Sequence, residues 1–155
     1  MRLNETVRSE MEKAVLCWLA TVGGDGDPNV SPKEIFAPFA EDDLVIADIA
    51  SPISVRNIRL NPKVCVSFID VFRQCGFKLA GEASVIGRDG EDFADFAAPL
   101  RSKAGTAFEI RHVIHVRVER VSRIWAPSYA VFPNRSEQER LEEAYRTYGV
   151  QPRSA

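Results

Sequence analysis

The sequence lacks several features that would direct it toward common classes of protein. Its 155 residues carry a formal net charge of −2, so it has no excess of basic residues for binding nucleic acid. The apolar run at residues 14–22 is too short to cross a bilayer, and the charged start of the chain is unlike a signal peptide. We therefore expect a cytoplasmic protein that binds neither nucleic acid nor membrane.

Residues that hold metals or act as nucleophiles are also scarce. The three cysteines are scattered, as in proteins of a reducing compartment, and form no Cys-x-x-Cys pair. The only histidines, His112 and His115, are three apart on a predicted strand and so point to opposite faces. We expect structural or surface roles for both and no metal site. The chain has no Gly-x-Ser-x-Gly and no phosphate-binding Gly-Lys-Ser/Thr loop, which argues against a serine hydrolase or a P-loop nucleotidase.

The pattern that is present is mainly β. Six segments are rich in Val, Ile, Phe and Thr and are separated by turn signals. They cover residues 17–23, 28–39, 43–48, 63–70, 76–87 and 112–125. Because long helices do not alternate with these strands, we expect an antiparallel barrel, closed or split, rather than a parallel sheet. The length favours a single domain over residues 1–155, with the barrel at about 15–129.

Helical periodicity appears at the periphery of this pattern. Residues 4–16 and 136–148 each place apolar side chains on one helical face, and a further helix is predicted within 89–105. Ser136 and Glu139 have the spacing of a capping box, and Gly149 is placed to end the last helix. We expect these helices to pack on the outside of the barrel.

The segment 29-NVSPKE-34 offers polar groups from one side of a strand. Alternation places Asn29, Ser31 and Lys33 on one face, and Val30 and Pro32 on the other. Proline removes a donor from the strand ladder, so this strand is predicted to lie at a sheet edge or a bulge. The row of polar side chains indicates either a ligand contact or an ordinary solvent-facing edge.

The segment 48-DIASPISVRNIRLNP-62 raises a similar choice. Ser51 and Pro52 are typical of a helix start, and a helix is predicted from Pro52 to about Leu60, ended by Asn61-Pro62. The free N–H groups and the positive dipole end at such a start favour an anion, by about 0.3–1 kcal/mol from the dipole alone. Taken alone, the segment fits a capped connection with solvated arginines as well as it fits a phosphate site.

Three segments in this order resemble the flavin-binding split barrels related to pyridoxamine 5'-phosphate oxidase. The segments are 19-LATVGGDGDPNVSPKEIF-36, 44-LVIADIASPISVRNIRLNPKVCVSF-68 and 77-FKLAGEASVI-86. The resemblance implies a six-stranded antiparallel split barrel that forms a homodimer, with FMN in a cleft at the subunit interface. It also implies a small-molecule substrate or electron donor.

The resemblance further implies which residues contact the cofactor. The strand after the first hairpin and the end of the next strand would contact the isoalloxazine ring, and the helix after it would hold the phosphate. A lysine on a later strand and two aromatic residues, the latter from the partner subunit, would complete the site. From residues alone, these two aromatics fit either a ring contact or interface packing. In chain order the implied cofactor-binding residues are Asn29, Val30, Ser31, Lys33, Ala47, Asp48, Ile49, Ser51, Ser54, Arg56, Asn57, Lys78, Trp125 and Tyr129.

The chain also departs from this family. The vitamin-synthesising oxidases carry a basic Ser-Arg-Lys run where this chain has 51-SPIS-54, and their Arg- and Trp-rich C-terminal region has no counterpart in residues 130–145. These departures argue against oxidation of pyridoxamine 5'-phosphate itself. The leading hypothesis is an FMN-dependent oxidoreductase or flavin reductase, in which the flavin carries the redox chemistry. The alternatives are a non-catalytic flavin-binding, stress or sensor protein, and a related barrel that uses a deazaflavin or haem. Haem is disfavoured because neither histidine is predicted to face the cleft.

Overall fold

The computed structural model describes residues 3–152, in which one antiparallel sheet of seven strands is surrounded by helices. Residues 1–2 and 153–155, which the predicted domain includes, lie outside the described part. The strands are β1 (Cys17–Val22), β2 (Pro28–Lys33), β3 (Phe36–Phe39), β4 (Asp43–Asp48), β5 (Lys63–Asp70), β6 (Cys75–Gly87) and β7 (His112–Trp125). The helices are α1 (Glu5–Lys13), α2 (Pro52–Leu60), α3 (Phe93–Ala104), α4 (Ser128–Val131) and α5 (Glu137–Tyr148).

The strand order β2-β1-β5-β6-β7-β4-β3 makes the sheet a split barrel. The strands β2 and β3 lie at opposite edges of the sheet, yet only residues 34–35 connect them. Two residues span only about 10 Å between the flanking Cα atoms, so the sheet must curl until its two edges meet. The prediction of six strands was wrong in this respect, because the apolar run at 28–39 changes partners at residues 34–35 and forms two strands.

Two apolar cores lie on the two faces of the sheet. The barrel interior contains Leu19, Ile46 and Leu79 and is closed by Met11 of α1 and Ile58 of α2. The second core lies on the outer face, where Val45 and Ala47 of β4 pack beneath Leu100 of α3. Strand β4 is buried on both faces, which explains its unbroken apolar sequence.

The long hairpin of β6 and β7 joins the two halves of the barrel. Its register shifts between Ala80 and Gly81, where a β-bulge bends the strands. A Cβ atom at Gly81 would lie 2.0 Å from the carbonyl oxygen of Arg117, so only glycine allows this close approach. The bend lets β7 pair with β6 along its whole length and with β4 through its first half.

The terminal helices form largely as their sequences predict. Asn4 caps α1 by accepting a hydrogen bond from the Val7 amide at 3.0 Å. The capping box of Ser136 and Glu139 is present in α5, and Gly149 ends the helix with φ of 64°. No helix within residues 3–152 is long and apolar enough to cross a membrane.

Candidate functional site

The start of α2 is held by Asp48 and not by a serine cap. Asp48 ends β4, and its Oδ1 accepts a hydrogen bond from the backbone N–H of Ser51 at 2.9 Å. The Ser51 side chain forms no capping hydrogen bond, so the predicted serine cap was wrong. Its hydroxyl instead accepts a hydrogen bond from the ammonium group of Lys33. The backbone N–H groups of Ile53 and Ser54 have no intrahelical acceptor, because they lie in the first turn of the helix. They therefore receive no hydrogen-bond acceptor from the Ser51 side chain either.

Lys33 brings a positive charge to this helix start from the edge strand β2. Its side chain is only 6% exposed, because alternation along β2 turns it inward. Burial lowers the pKa of Lys33, and the nearby Asp48 carboxylate opposes part of that change. Burial also raises the pKa of the neighbouring Cys17 thiol to about 12, so Cys17 is no nucleophile.

Asp48 also binds His112. The two residues face each other in the register of β4 and β7, and Oδ2 of Asp48 lies 2.8 Å from Nδ1 of His112. The buried carboxylate fixes the ring and leaves Nε2 as its free nitrogen. The expectation that neither histidine faces the cleft was wrong for His112, because it lines the cleft beside α2.

This cleft has a volume of about 460 Å³ and is strongly cationic. Arg56 and Arg59 enter it from α2, and Arg111 enters it from the segment before β7. Its only carboxylate, Asp48, is already bound by His112 and the Ser51 amide. We call this space the cationic cleft. Its residues are Asp48, Ser51, Pro52, Val55, Arg56, Arg59, Leu60, Arg111 and His112.

A second cleft of about 200 Å³ shares the lining residue Ser51 with the first. We call it the seam cleft, because residues 32–35 at the junction of β2 and β3 form one wall. Ala47, Ile49 and Ala50 form the other wall, and Phe108, whose side chain is 53% exposed, stands at its rim. Lys33 and Glu34 are the charged residues of this cleft. A cleft with an apolar wall beside a cationic cleft suits a ligand with a flat ring and an anionic tail.

A buried polar network lies behind the two clefts. Thr21 is 1% exposed, and its hydroxyl accepts hydrogen bonds from the side-chain amides of Asn29 and Asn57, each at 3.2 Å. The hydroxyl groups of Ser31 and Ser54 lie 3.1 Å apart. These contacts hold α2 against β1 and β2 and so position the helix start.

The structure separates the residues that were predicted to bind a cofactor. The two clefts are lined by six of them: Lys33, Ala47, Asp48, Ile49, Ser51 and Arg56. Four others belong to the buried polar network, and their predicted cofactor contacts stay predictions: Asn29, Ser31, Ser54 and Asn57. Val30 and Lys78 project from the outer face of the sheet. Trp125 and Tyr129 pack together, with ring centroids 4.6 Å apart, beyond the far end of β7 from His112.

Several cleft residues were missed from the sequence. Arg59 is visible on α2 but is one turn further from the helix start than Arg56, which made Arg56 the preferred candidate. Arg111 and His112 reach the site only because β7 pairs with β4, and no local motif signals that pairing. Phe108 lies in an irregular segment between α3 and β7 without any pattern. Within residues 3–152, no group of three or more His, Cys, Asp and Glu residues is arranged to hold a metal ion.

Comparison with known proteins gives consistent matches to one family. The family model for pyridoxamine 5'-phosphate oxidase matches residues 3–125. An FMN-binding protein from Syntrophomonas wolfei is 16% identical, with a TM-score of 0.67 over 80% of this chain and 87% of that chain. The heme storage protein HutZ from Vibrio cholerae is 23% identical, with a TM-score of 0.61 over 81% of this chain and 95% of that chain.

An F420 reductase is 25% identical, with a TM-score of 0.59 over 77% of this chain and 98% of that chain. No curated protein matches the sequence. The names of the three similar structures point to three different ligands. The shared fold therefore does not identify the ligand of this chain, and the residues of the clefts are the basis for inferring it.

Proposed function

The chain belongs to the pyridoxamine 5'-phosphate oxidase family, and from this premise we propose that it is a flavoprotein that binds FMN. The observation that carries the proposal is that the seam cleft, with its apolar wall, and the cationic cleft are neighbours that share Ser51. A flavin mononucleotide has the matching form, a flat ring at one end and a phosphate at the other. We further propose that residues 1–155 form a single flavin-binding domain.

The phosphate is assigned to the cationic cleft. Arg56 lines it close to the start of α2, where helix N–H groups and the positive dipole end favour an anion. A guanidinium group pairs with phosphate through two parallel hydrogen bonds, which gives direction as well as charge. Three arginines outnumber the single carboxylate, Asp48, so the cleft keeps an excess of positive charge that fits a phosphate dianion.

The ring is assigned to the seam cleft. Ala47 and Ile49 provide an apolar wall, and the buried Lys33 places a positive charge at the polar end of the cleft. When bound there, the flavin would supply the electron or hydride transfer between small-molecule partners. Lys33 would favour negative charge on the ring, and Nε2 of His112 would offer a hydrogen-bonding group at the neighbouring cleft.

We also propose a homodimer with the cofactor at its interface. Trp18 and Val30 are 46% and 56% exposed on the outer face of β1 and β2, which is unusual for large apolar side chains. Strand pairing aligns Trp18 with Ser67 and then with Lys78, so Lys78 lies across the same outer face. A second copy seated here would cover these residues and bring its own Trp125 and Tyr129 toward the cofactor.

The test begins with the purified protein. We expect it to carry flavin, identified by absorbance and by the mass of the released compound; a protein that neither carries nor takes up FMN would refute the proposal. Bleaching by NADH or NADPH, with recovery in oxygen, would distinguish an oxidoreductase or flavin reductase from a storage, stress or sensor protein.

Arg56→Gln tests the assignment of the phosphate. Loss of a charge-assisted contact should weaken FMN binding by about tenfold or more, whereas riboflavin, which lacks the phosphate, should bind as before. Arg146→Gln is the matched control, because Arg146 is an exposed arginine on α5, away from the clefts. Equal weakening of FMN and riboflavin by Arg56→Gln would move the phosphate elsewhere.

His112 supports haem as a second candidate ligand. Its Nδ1 is bound by Asp48, and a histidine held in this way presents Nε2 for metal ligation. The surrounding arginines would suit the carboxylates of haem. The absorbance spectrum of the purified protein separates haem from a flavin and from a deazaflavin. His112→Ala should abolish haem binding but weaken flavin binding only in part, because His112 is one of several residues that line the cleft.

A further inference from the structure

The arginines of the cationic cleft differ from most other arginines of the chain. Within residues 3–152, no hydrogen bond or ion pair involves the side chains of Arg56, Arg59 or Arg111. Carboxylate partners are instead found for Arg73, Arg88, Arg117, Arg123 and Arg135. Three like charges around one cleft repel each other, and the single carboxylate of the cleft, Asp48, offsets only part of that repulsion.

The three arginines enter the cleft from different positions along the chain. Along α2, Arg59 lies about 4.5 Å beyond Arg56 and about 12 Å beyond Ser51, from the helical rise of 1.5 Å per residue. Arg111 enters from the neighbouring segment, where its amide donates to the Asp48 carbonyl oxygen at 2.9 Å. A phosphate held at the helix start by Arg56 therefore leaves Arg59 and Arg111 free for another group.

We propose that Arg59 and Arg111 form a second anion subsite, which binds a phosphate group additional to the 5'-phosphate of FMN. The inference rests on the proposed flavin site. It narrows the ligands to those with a second phosphate, either on an extended flavin cofactor such as FAD or on a separate phosphorylated substrate or electron donor. The solvent-exposed Leu60 lines the end of the cleft beside Arg59, so the subsite opens outward and leaves room for such an extension.

The principal test is calorimetric titration of the FMN-loaded protein with inorganic pyrophosphate. We expect one pyrophosphate to bind per chain without release of FMN. Arg59→Gln and Arg111→Gln should each weaken this binding by about tenfold, and Arg146→Gln should not change it. Both cleft arginines are exposed, so these variants should fold normally, which thermal melting will check.

Two results would overturn the subsite. One is pyrophosphate binding that is absent or unaffected by both substitutions; the other is pyrophosphate that binds only by displacing FMN. Failure of the flavin proposal looks different. If the protein takes up no FMN but binds pyrophosphate with the same dependence on Arg59 and Arg111, the anion subsite stands and the flavin assignment falls.

Two further titrations identify the source of the second phosphate. If it belongs to the cofactor, the flavin-free protein should bind FAD more tightly than FMN, and Arg59→Gln should remove the preference. If it belongs to a separate molecule, FAD should have no advantage, and 2',5'-ADP should bind the FMN-loaded protein but bind the Arg59→Gln variant about tenfold more weakly. The subsite would be refuted if the unsubstituted protein bound FAD no more tightly than FMN and, when loaded with FMN, did not bind 2',5'-ADP.

Discussion

The two ends of the barrel use charged residues in opposite ways. At the end near the β5–β6 turn, Arg73 binds Glu137 at 2.7 Å, and Arg123 binds Glu10 at 2.8 Å while lying over the Trp125 ring. At the end near Ser51, the three arginines of the cationic cleft have no carboxylate partner within residues 3–152, and the buried Lys33 is bound to a serine hydroxyl. The paired charges hold the terminal helices in place. The unpaired charges around the cleft can instead bind an anionic ligand.

The same contrast holds for polar and aromatic groups. Near Ser51, buried hydroxyl and amide groups position α2, and Phe108 lies at the surface beside a cleft. At the opposite end, Phe72 packs against Tyr145 and Tyr148, with ring centroids 5.2 Å and 5.9 Å away. Substitutions at matched positions of the two ends should therefore separate effects on stability from effects on ligand binding.

The largest difference is expected between two threonines. Thr21→Val keeps the shape of the side chain but leaves the amides of Asn29 and Asn57 without their acceptor, so the free energy of unfolding should fall by about 2–3 kcal/mol. Thr147→Val removes an exposed hydroxyl that donates to the Glu143 carbonyl oxygen, and the change should stay within about 0.5 kcal/mol. Urea unfolding measures both. Similar losses in the two variants would show that the network at Thr21 does not hold α2.

Two phenylalanines should give the next effect. Phe72→Ala removes the ring that α5 packs against and should cost about 2 kcal/mol, less than a fully buried phenylalanine would. Phe108→Ala removes an exposed ring and should leave stability unchanged while weakening flavin binding. Thermal unfolding and fluorescence titration with FMN provide the two readouts. Unaltered FMN affinity in Phe108→Ala would remove this residue from the proposed ring site.

Two serines that precede helices offer a smaller contrast. Ser136→Ala breaks the capping box of α5 and should cost about 1 kcal/mol, with no effect on FMN. Ser51→Ala removes no cap but takes the acceptor from the buried Lys33 ammonium, so it should also cost about 1 kcal/mol, and unlike Ser136→Ala it should weaken FMN binding. Chemical denaturation and FMN titration test the pair. Unchanged FMN affinity in Ser51→Ala would remove Ser51 from the proposed cofactor site.

The smallest expected effect concerns the charge on Lys33. Burial lowers its pKa, so between that lowered pKa and the ordinary value of 10.5 the unfolded chain binds the proton more strongly than the folded chain. Lys33 therefore makes stability rise with pH through this window. Lys33→Met should be more stable than the unsubstituted protein at pH 7, and the advantage should shrink as the pH approaches 10.5.

Thermal unfolding of Lys33→Met across this pH range gives the measurement, with Lys13→Met, an exposed lysine on α1, as the control. A Lys33→Met variant that is less stable at pH 7 would show that the hydrogen bond to Ser51 outweighs the cost of burying the charge.

Features that depend on neighbours in the chain could be predicted from the sequence. The capping box of α5, the turn at residues 23–28 and the shared face of Asn29, Ser31 and Lys33 all follow from local chemistry. The pairing of Asp48 with His112 could not be predicted, because it depends on the register of two strands that are 64 residues apart. The division of residues 28–39 into two strands also depends on tertiary structure, since the chain there leaves one partner strand and joins another.

The two-residue connection between β2 and β3 has a consequence for folding kinetics. It joins the two edges of the sheet, and the residues around it form a wall of the seam cleft. That wall exists only when the barrel is closed, so a ligand in the cleft would bind the closed form and not the opened one. We expect bound ligand to slow the opening of the barrel between β2 and β3. Slower opening would lower the rate at which proteases cleave the folded chain.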